Sequence, residues 1–329
     1  MAIRLLLGPA DIVGARFAIS PLWEVTNAVR LLTRPGTSGY HAPWLASVQA
    51  ELESVDVSAL TALHPAAGWV PDFMTPPPHG VSPTVDRQLA EVARTPPTRV
   101  ALELERTRPD QTDPAARAVI DDLLANPAAG LERICRQLAD AWRVLVAPSW
   151  PRLRELVAAD LAHRARIMAA HGFGAAVDDL HARVRWTGDA ISVQHDTRME
   201  HAVAGAGLIL QPSAFSWPAV VLVVESGSPS VLVYPARGVA ALWRTGTVEA
   251  PAALAGLLGH SRAKLLADLD EPRSTSALAA RHGVGASGVS AHLKALHAAG
   301  LVSRRRAGHE VRYGRTPLGE GLVAGRDAD

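Results

Sequence analysis

Between Ser274 and Tyr313 the sequence alternates helix-forming stretches with glycine turns in an order that few folds accept. Ser274-Thr275-Ser276 is a capping run, and it predicts a short helix over Ala277–Arg281 that closes at Gly283. A tight turn through Gly283-Val284-Gly285 leads to a second helix, from about Ala286-Ser287 to Ala299-Gly300. Its apolar positions Val289, Leu293 and Leu296 are spaced by four and three, which leaves Ser287, Gly288, Ser290, Ala291 and Lys294 on the opposite face. Leu301-Val302 then begins a strand, Arg304-Arg305-Arg306-Ala307-Gly308 reads as the turn, and His309–Tyr313 returns. Upstream, Ala253–Leu269 reads as one helix with Leu254, Leu257, Leu258, Leu265, Leu266 and Leu269 inward, ended by Asp270-Glu271-Pro272.

Charge follows the same boundary. Overall, 33 basic residues balance 32 acidic ones. From His260 to Arg315, however, ten are basic and four acidic, whereas the first 259 residues carry 22 basic and 25 acidic. A compact basic segment on a mildly acidic body is the electrostatic footprint of a nucleic-acid reader. Small side chains at the start of the second helix would let it sink into a groove and meet base edges. Three arginines at a hairpin tip would grip backbone or minor groove.

The rest of the chain reads as an α+β body. At 329 residues the length fits about two domains, which we place at 1–249 and 250–329 with the boundary near Thr247–Pro251. The first is expected to be large and mostly helical, with a small antiparallel sheet. Helices are expected from Ser20-Pro21, over Pro43–Leu52, from Asp113-Pro114 to Asn126-Pro127, over Leu131–Val146, and from Ser149-Trp150-Pro151 towards Gly172. A Pro-rich stretch from Pro71 to Pro83 breaks the series. Then the period changes. Ala190–His195, Gly207–Gln211, Ala219–Glu225 and Ser230–Tyr234 are short Val- and Ile-rich runs, and Ser226-Gly227-Ser228-Pro229 is placed as a hairpin connection. Ile3–Leu7 is expected to be one more strand. No apolar run approaches the ~18–20 residues of a membrane helix, and the N-terminus lacks a signal-peptide core, so a cytoplasmic protein is expected.

Two resemblances add to these readings. Ser274-Thr275-Ser276-Ala277-Leu278-Ala279, the run Ser287 to Leu296, and Ala299-Gly300-Leu301-Val302 resemble the ArsR-type winged helix-turn-helix over about the last fifth of the chain. The resemblance implies a transcriptional regulator on a double-stranded DNA operator, with Ser287, Gly288, Ser290, His292 and Lys294 facing DNA. It also implies wing contacts from Arg304, Arg305, Arg306 and Arg312, and repression as the family habit. Where that family often has two adjacent histidines, this chain has Ala291-His292. Upstream, Arg16-Phe17, Ser20 to Glu24, Gly207 to Ser213, Trp217-Pro218, Tyr234 to Gly238 and Leu242-Trp243 resemble an uncharacterised domain fused to ArsR-like readers in high-GC bacteria.

Other readings stay beside this one. A homodimer is expected, because one reader buries too little surface for operator specificity. This reading leaves room for a small-molecule effector, with Trp217, Tyr234 and Trp243 as candidate pocket aromatics, although core packing is the better explanation of all three. No cofactor or metal is expected: there is a single cysteine, Cys135, and the nearest ligand-like cluster, His195 and His201 with Asp196 and Glu200, reads as surface. No enzyme is expected either, since Gly-x-Ser-x-Gly, phosphate-loop and metalloprotease motifs are missing and Gly205-Ala206-Gly207 precedes a strand instead of following one. The alternative is an enzyme or small-molecule-binding protein whose C-terminal module serves docking.

Overall fold

The computed structural model describes residues 1–34, 41–224, 227–243, 252–270, 272–307 and 310–324. The chain divides into two compact units, Met1–Trp243 and Arg244–Asp329. The expected boundary at Thr247–Pro251 lies outside the described residues, as do Ser226 of the expected hairpin connection and Gly308-His309 of the wing.

Prolines start most helices of the first unit. Pro21, Pro43, Pro114, Pro127 and Pro151 occupy the first turns of Pro21–Thr33, Ala42–Leu52, Pro114–Ala125, Pro127–Ala141 and Trp150–Asp178, where a missing N–H costs nothing. Three of these starts are sealed by side-chain caps: Ser20 accepts from the N–H of Trp23, Asp113 from Ala115 and Asn126 from Ala129. The helix expected over Leu131–Val146 ends earlier, at Ala141, and passes into a π-helical turn, Trp142–Val146. The long helix from Trp150 does break at Gly172, whose φ of 83° leaves the helical region, but helix resumes to Asp178. These helices enclose one core around Leu22, Trp44, Leu60, Met74, Leu104, Ile134, Leu138, Leu145 and Phe215, all essentially inaccessible to solvent.

Beside this core lie two four-stranded sheets. The strands are β1 (Ala2–Leu6), β2 (Arg16–Phe17), β3 (Val184–Trp186), β4 (Ala190–Gln194), β5 (Met199–Ala202), β6 (Leu208–Ser213), β7 (Val221–Val223) and β8 (Ser230–Pro235). One sheet runs β3-β4-β1-β5, the other β2-β6-β8-β7. Both are mixed: β1 pairs antiparallel with β4 and parallel with β5, and β6 pairs parallel with β2 and β8. The antiparallel pairing expected of the last two strands holds for β7 and β8, with Leu222 opposite Leu232. Antiparallel strands alone therefore do not describe the sheets. The reason is burial on both faces: Leu208, Leu210, Leu232 and Tyr234 enter one core, while Ile209, Val231 and Val233 enter another. Central strands buried on two sides are the kind that pair in parallel. Arg16-Phe17, Val184–Trp186 and Met199–Ala202 carry too few apolar positions to announce themselves as strands.

In the second unit, the single helix expected over Ala253–Leu269 is two, Ala252–Leu258 and His260–Ala267. Gly259, at φ 81°, makes the break, and Leu257, expected inward, is 69% exposed as a result. The remaining elements are Thr275–His282, Ala286–Ala298, a sheet of order β10-β11-β9, and a final helix Pro317–Ala324. In that sheet β9 is Arg273–Ser274, β10 is Val302–Ala307 and β11 is Glu310–Arg315. Leu254, Leu265, Leu266, Leu278, Val289, Leu293, Leu296, Val302 and Tyr313 fill its own core.

Candidate nucleic-acid interface

The reader motif is built from local signals. Ser274 accepts from the N–H of Ala277 at 3.2 Å and so caps Thr275–His282. Gly283, in the left-handed region at φ 63°, closes that helix with its N–H on the Ala279 carbonyl, a conformation an L side chain would resist. Gly285 then starts Ala286–Ala298, and no side chain caps it, so its first N–H groups remain available. Val289, Leu293 and Leu296 bury one stripe of this helix. On the other side Ser287, Gly288, Ala291 and Lys294 are exposed, with Ser290 and His292 half-buried at the edges of the stripe. A methyl group added at Gly288 would meet nothing within 4 Å, so this part of the helix surface is bare.

A buried ionic lock fixes the motif to the helix that precedes it. Asp268, 1% exposed, accepts from Arg281 Nε at 2.7 Å and from His282 Nε2 at 3.0 Å, and its backbone carbonyl accepts from Arg273. Burial pushes the Asp268 carboxyl up, but His282, Arg281 and Arg273 outweigh it and hold the group below the usual carboxylate range. The lock thus ties the end of His260–Ala267 to the C-terminal turn of Thr275–His282.

The hairpin differs from its expected form. Arg304, Arg305 and Arg306 do not form the turn; they lie within β10, which continues to Ala307. Arg304 stands opposite Tyr313, Arg305 opposite Arg312 and Arg306 opposite Val311. The strand period therefore divides the run between two faces, with Arg305 and Arg312 on one and Arg304 and Arg306 on the other. All three of Arg304 to Arg306 are exposed. Two like charges in direct cross-strand register cost stability, and an anion at that face would offset the cost.

Sequence reasoning missed part of this surface. A cleft of about 500 Å3 joins the start of the Ala286–Ala298 helix to His260–Ala267, bringing His260, Ser261 and Lys264 beside Ser287, Gly288 and His292. The only sequence signal was that Lys264 and Lys294 are the two lysines of the chain. The three candidate aromatics do not converge. Tyr234 is fully buried, with its hydroxyl donating to Asp160 at 2.9 Å. Trp243 is 8% exposed, packed with Trp44 and Phe215, and donates to His41 Nδ1 at 2.7 Å. Trp217 alone lines a recess. Among the described residues no group of three or more His, Cys, Asp or Glu is placed to hold a metal ion, and no helix is long and apolar enough to cross a membrane.

Comparison with known proteins agrees with this geometry. Residues 264–304, from Lys264 in the cleft through the two reader helices to Arg304, match the family described as bacterial regulatory protein, arsR family. Residues 81–240 match a family of unknown function, DUF5937. No curated protein and no solved structure matches the chain. With an exposed reader helix, an arginine-bearing hairpin and both family matches in place, the chain carries an ArsR-family helix-turn-helix domain joined to a DUF5937 domain, and it is a DNA-binding transcriptional regulator.

Proposed function

We propose that the protein is a homodimeric, cytoplasmic repressor that places two copies of the Ala286–Ala298 helix in successive major grooves, with the first unit answering to a small-molecule effector. The observation that carries the DNA part is the bare face of that helix: Gly288 and its exposed neighbours Ser287, Ala291 and Lys294 have no protein packed over them. On this reading Ser287, Ser290 and His292 meet base edges, while Lys264, Lys294 and the arginines of β10 and β11 meet phosphates. Two readers about 34 Å apart would match an inverted repeat. The dimer reading is supported by the small surface that one reader buries, too little for operator specificity without a second half-site. Leu257, 69% exposed, and Leu318, 60% exposed, lie on the helices that flank the reader and are the contacts we test. Repression rests on the family resemblance, and the effector on the size of the first unit and its recess.

The test uses the full-length protein. Light scattering should return about twice 34.7 kDa, and footprinting on chromosomal fragments recovered with the protein should protect two half-sites about one helical turn apart. Leu257→Glu should give a folded monomer with weaker operator binding. A wild-type monomer that protects a single half-site would overturn the two-fold reading.

A further inference from the structure

The first unit contains a recess of about 300 Å3 at the end of β8, lined by side chains that the fold leaves partly unused. Trp217, Leu180, Pro235 and Val239 form its apolar walls. The Trp217 indole is 36% exposed, and His181 packs edge-on against it at 6.3 Å between ring centroids. Arg164, Asp179 and Arg237 supply the remaining polar lining.

The decisive question is which of these polar groups are already committed. Asp160, fully buried beneath the recess, accepts from the Tyr234 hydroxyl at 2.9 Å, from the backbone N–H of Arg237 at 3.1 Å and from Arg164 at 3.4 Å. Asp179 pairs with Arg164 and with His163. Both carboxylates are therefore occupied by internal donors. The donors are in surplus. Arg164 is 2% exposed and its Nε makes no hydrogen bond, a buried donor of a kind that native structures seldom leave unmet. His181 uses Nδ1 to accept from the N–H of Arg183 at 3.2 Å, so the neutral ring carries its proton on Nε2 as a further donor. The Arg237 side chain is exposed and has no ion-pair partner among the described residues. A flat aromatic wall beneath uncommitted donors, with every nearby carboxylate already paired, fits an anion attached to an apolar ring.

We infer that this recess is a binding site for a small aromatic carboxylate, its ring against Trp217 and its carboxylate on Arg237 and His181. The volume lies at the lower end of small-molecule sites and accepts one ring or a fused pair. The placement also bears on regulation. Arg237 and Gly238 of the lining lead directly into Val239–Leu242 and then Trp243, the last residue of this unit. A ligand bound here therefore contacts the segment that ends the first unit, where a preference for one of two conformations would be passed on along the chain. This regulatory step rests on the proposed effector role of the first unit; the site itself does not.

Calorimetry on full-length protein tests the site with benzoate, 2-naphthoate and indole-3-acetate, each against its uncharged carboxamide. At least one acid should bind about tenfold or more tightly than its amide, the worth of one charge-assisted hydrogen bond. Arg237→Gln, a change on the surface that leaves the melting temperature unaltered, should erase most of that advantage, and Trp217→Ala should weaken acid and amide alike. Equal affinity for acid and amide, an advantage that survives Arg237→Gln, or no binding of any of the three acids would overturn the assignment. Operator affinity measured with and without the bound acid separates the two readings. Binding without any change in operator affinity upholds the site and overturns the effector role. Absence of binding by a protein that still holds its operator overturns the site alone.

Discussion

The two units use their polar groups in opposite ways. In the first unit they are turned inward. Glu24 is 1% exposed and accepts from the Ser213 hydroxyl and the backbone N–H groups of Ala214 and Phe215 at 2.9–3.1 Å. Gln137 Oε1 accepts from the N–H groups of Ala59 and Leu60 and so caps the helix Ser58–Ala62 from a distant part of the chain. Gln88 does the same for Pro21–Thr33, accepting from Leu22 at 3.0 Å. Among the described residues of the second unit, buried polar groups are few, chiefly Asp268 with its partner His282 and the cap Ser274, while Ser287, Lys294, Arg304 and Arg305 face outward. Charges committed inside hold a fold; charges left outside are available to a partner.

The largest expected effect breaks the inward network. Asp160→Ala leaves Arg164 short of a buried partner and the Tyr234 hydroxyl unpaired, which should cost on the order of 3–5 kcal/mol. Chemical denaturation followed by tryptophan fluorescence should show this destabilisation. A cost below about 1 kcal/mol, the level of a surface pair, would erase the contrast between the units.

Next comes pH. Burial holds His41 and His64 down to about 4 from 6.5, with Arg30 and Arg34 adding to the effect at His64. The unfolded chain therefore binds more protons at these two sites between about 4 and 6.5, and their contribution to stability is lost as pH falls through that window. Glu24 runs the other way: burial, partly offset by its three hydrogen bonds, raises it to about 7 from 4.5, so its contribution is lost as pH rises through that range. Two imidazoles against one carboxyl should make stability rise between about pH 4.5 and 6.5. Melting curves across that range check it, and His64→Gln should flatten the slope. A curve that falls with pH would contradict the assignment.

On the outward side, replacing Arg304, Arg305 and Arg306 with alanine should weaken binding to operator and random duplex together. It should lower the slope of log affinity against log salt by roughly 0.9 for each phosphate that the variant no longer neutralises, with no fall in the melting temperature, since the repulsion between Arg305 and Arg312 is removed. Titrations at several salt concentrations measure this, and an unchanged slope would remove these arginines from the interface. The smallest effect sharpens the contrast most. Gly288→Ala should stabilise the fold by roughly 0.5–1 kcal/mol, because alanine suits a helix better and space is open there. The same change should weaken operator binding, since the added methyl stands where a base edge would approach. A variant that is more stable and binds equally well would show that this face does not touch DNA.

The reader was legible because its instructions are local. Ser274 caps three residues ahead, Gly283 takes the one conformation that ends its helix, and Val289, Leu293 and Leu296 repeat at helical spacing. Errors arose where one residue outweighed a pattern. Gly259 broke a leucine-rich helix, and β10 carried its arginines past the expected turn because strand pairing with β11 satisfied their backbone groups. In the first unit the helices were legible from proline and cap signals, but the sheets were less so. Whether β6 lies beside β8 in parallel depends on cores on both faces, and no window of the sequence contains both.

The sequence by itself thus determined the order and spacing of the reader helices and the starts of the long helices. Each of these depends on interactions a few residues long. Only the tertiary structure decided the mixed sheets, the glutamine caps, the Asp160–Arg164–Tyr234 network and the separation of Trp217 from Tyr234 and Trp243. Those features join residues far apart in the chain. Their energies come from removing paired polar groups and apolar surface from water together, which happens only once the distant segments have met.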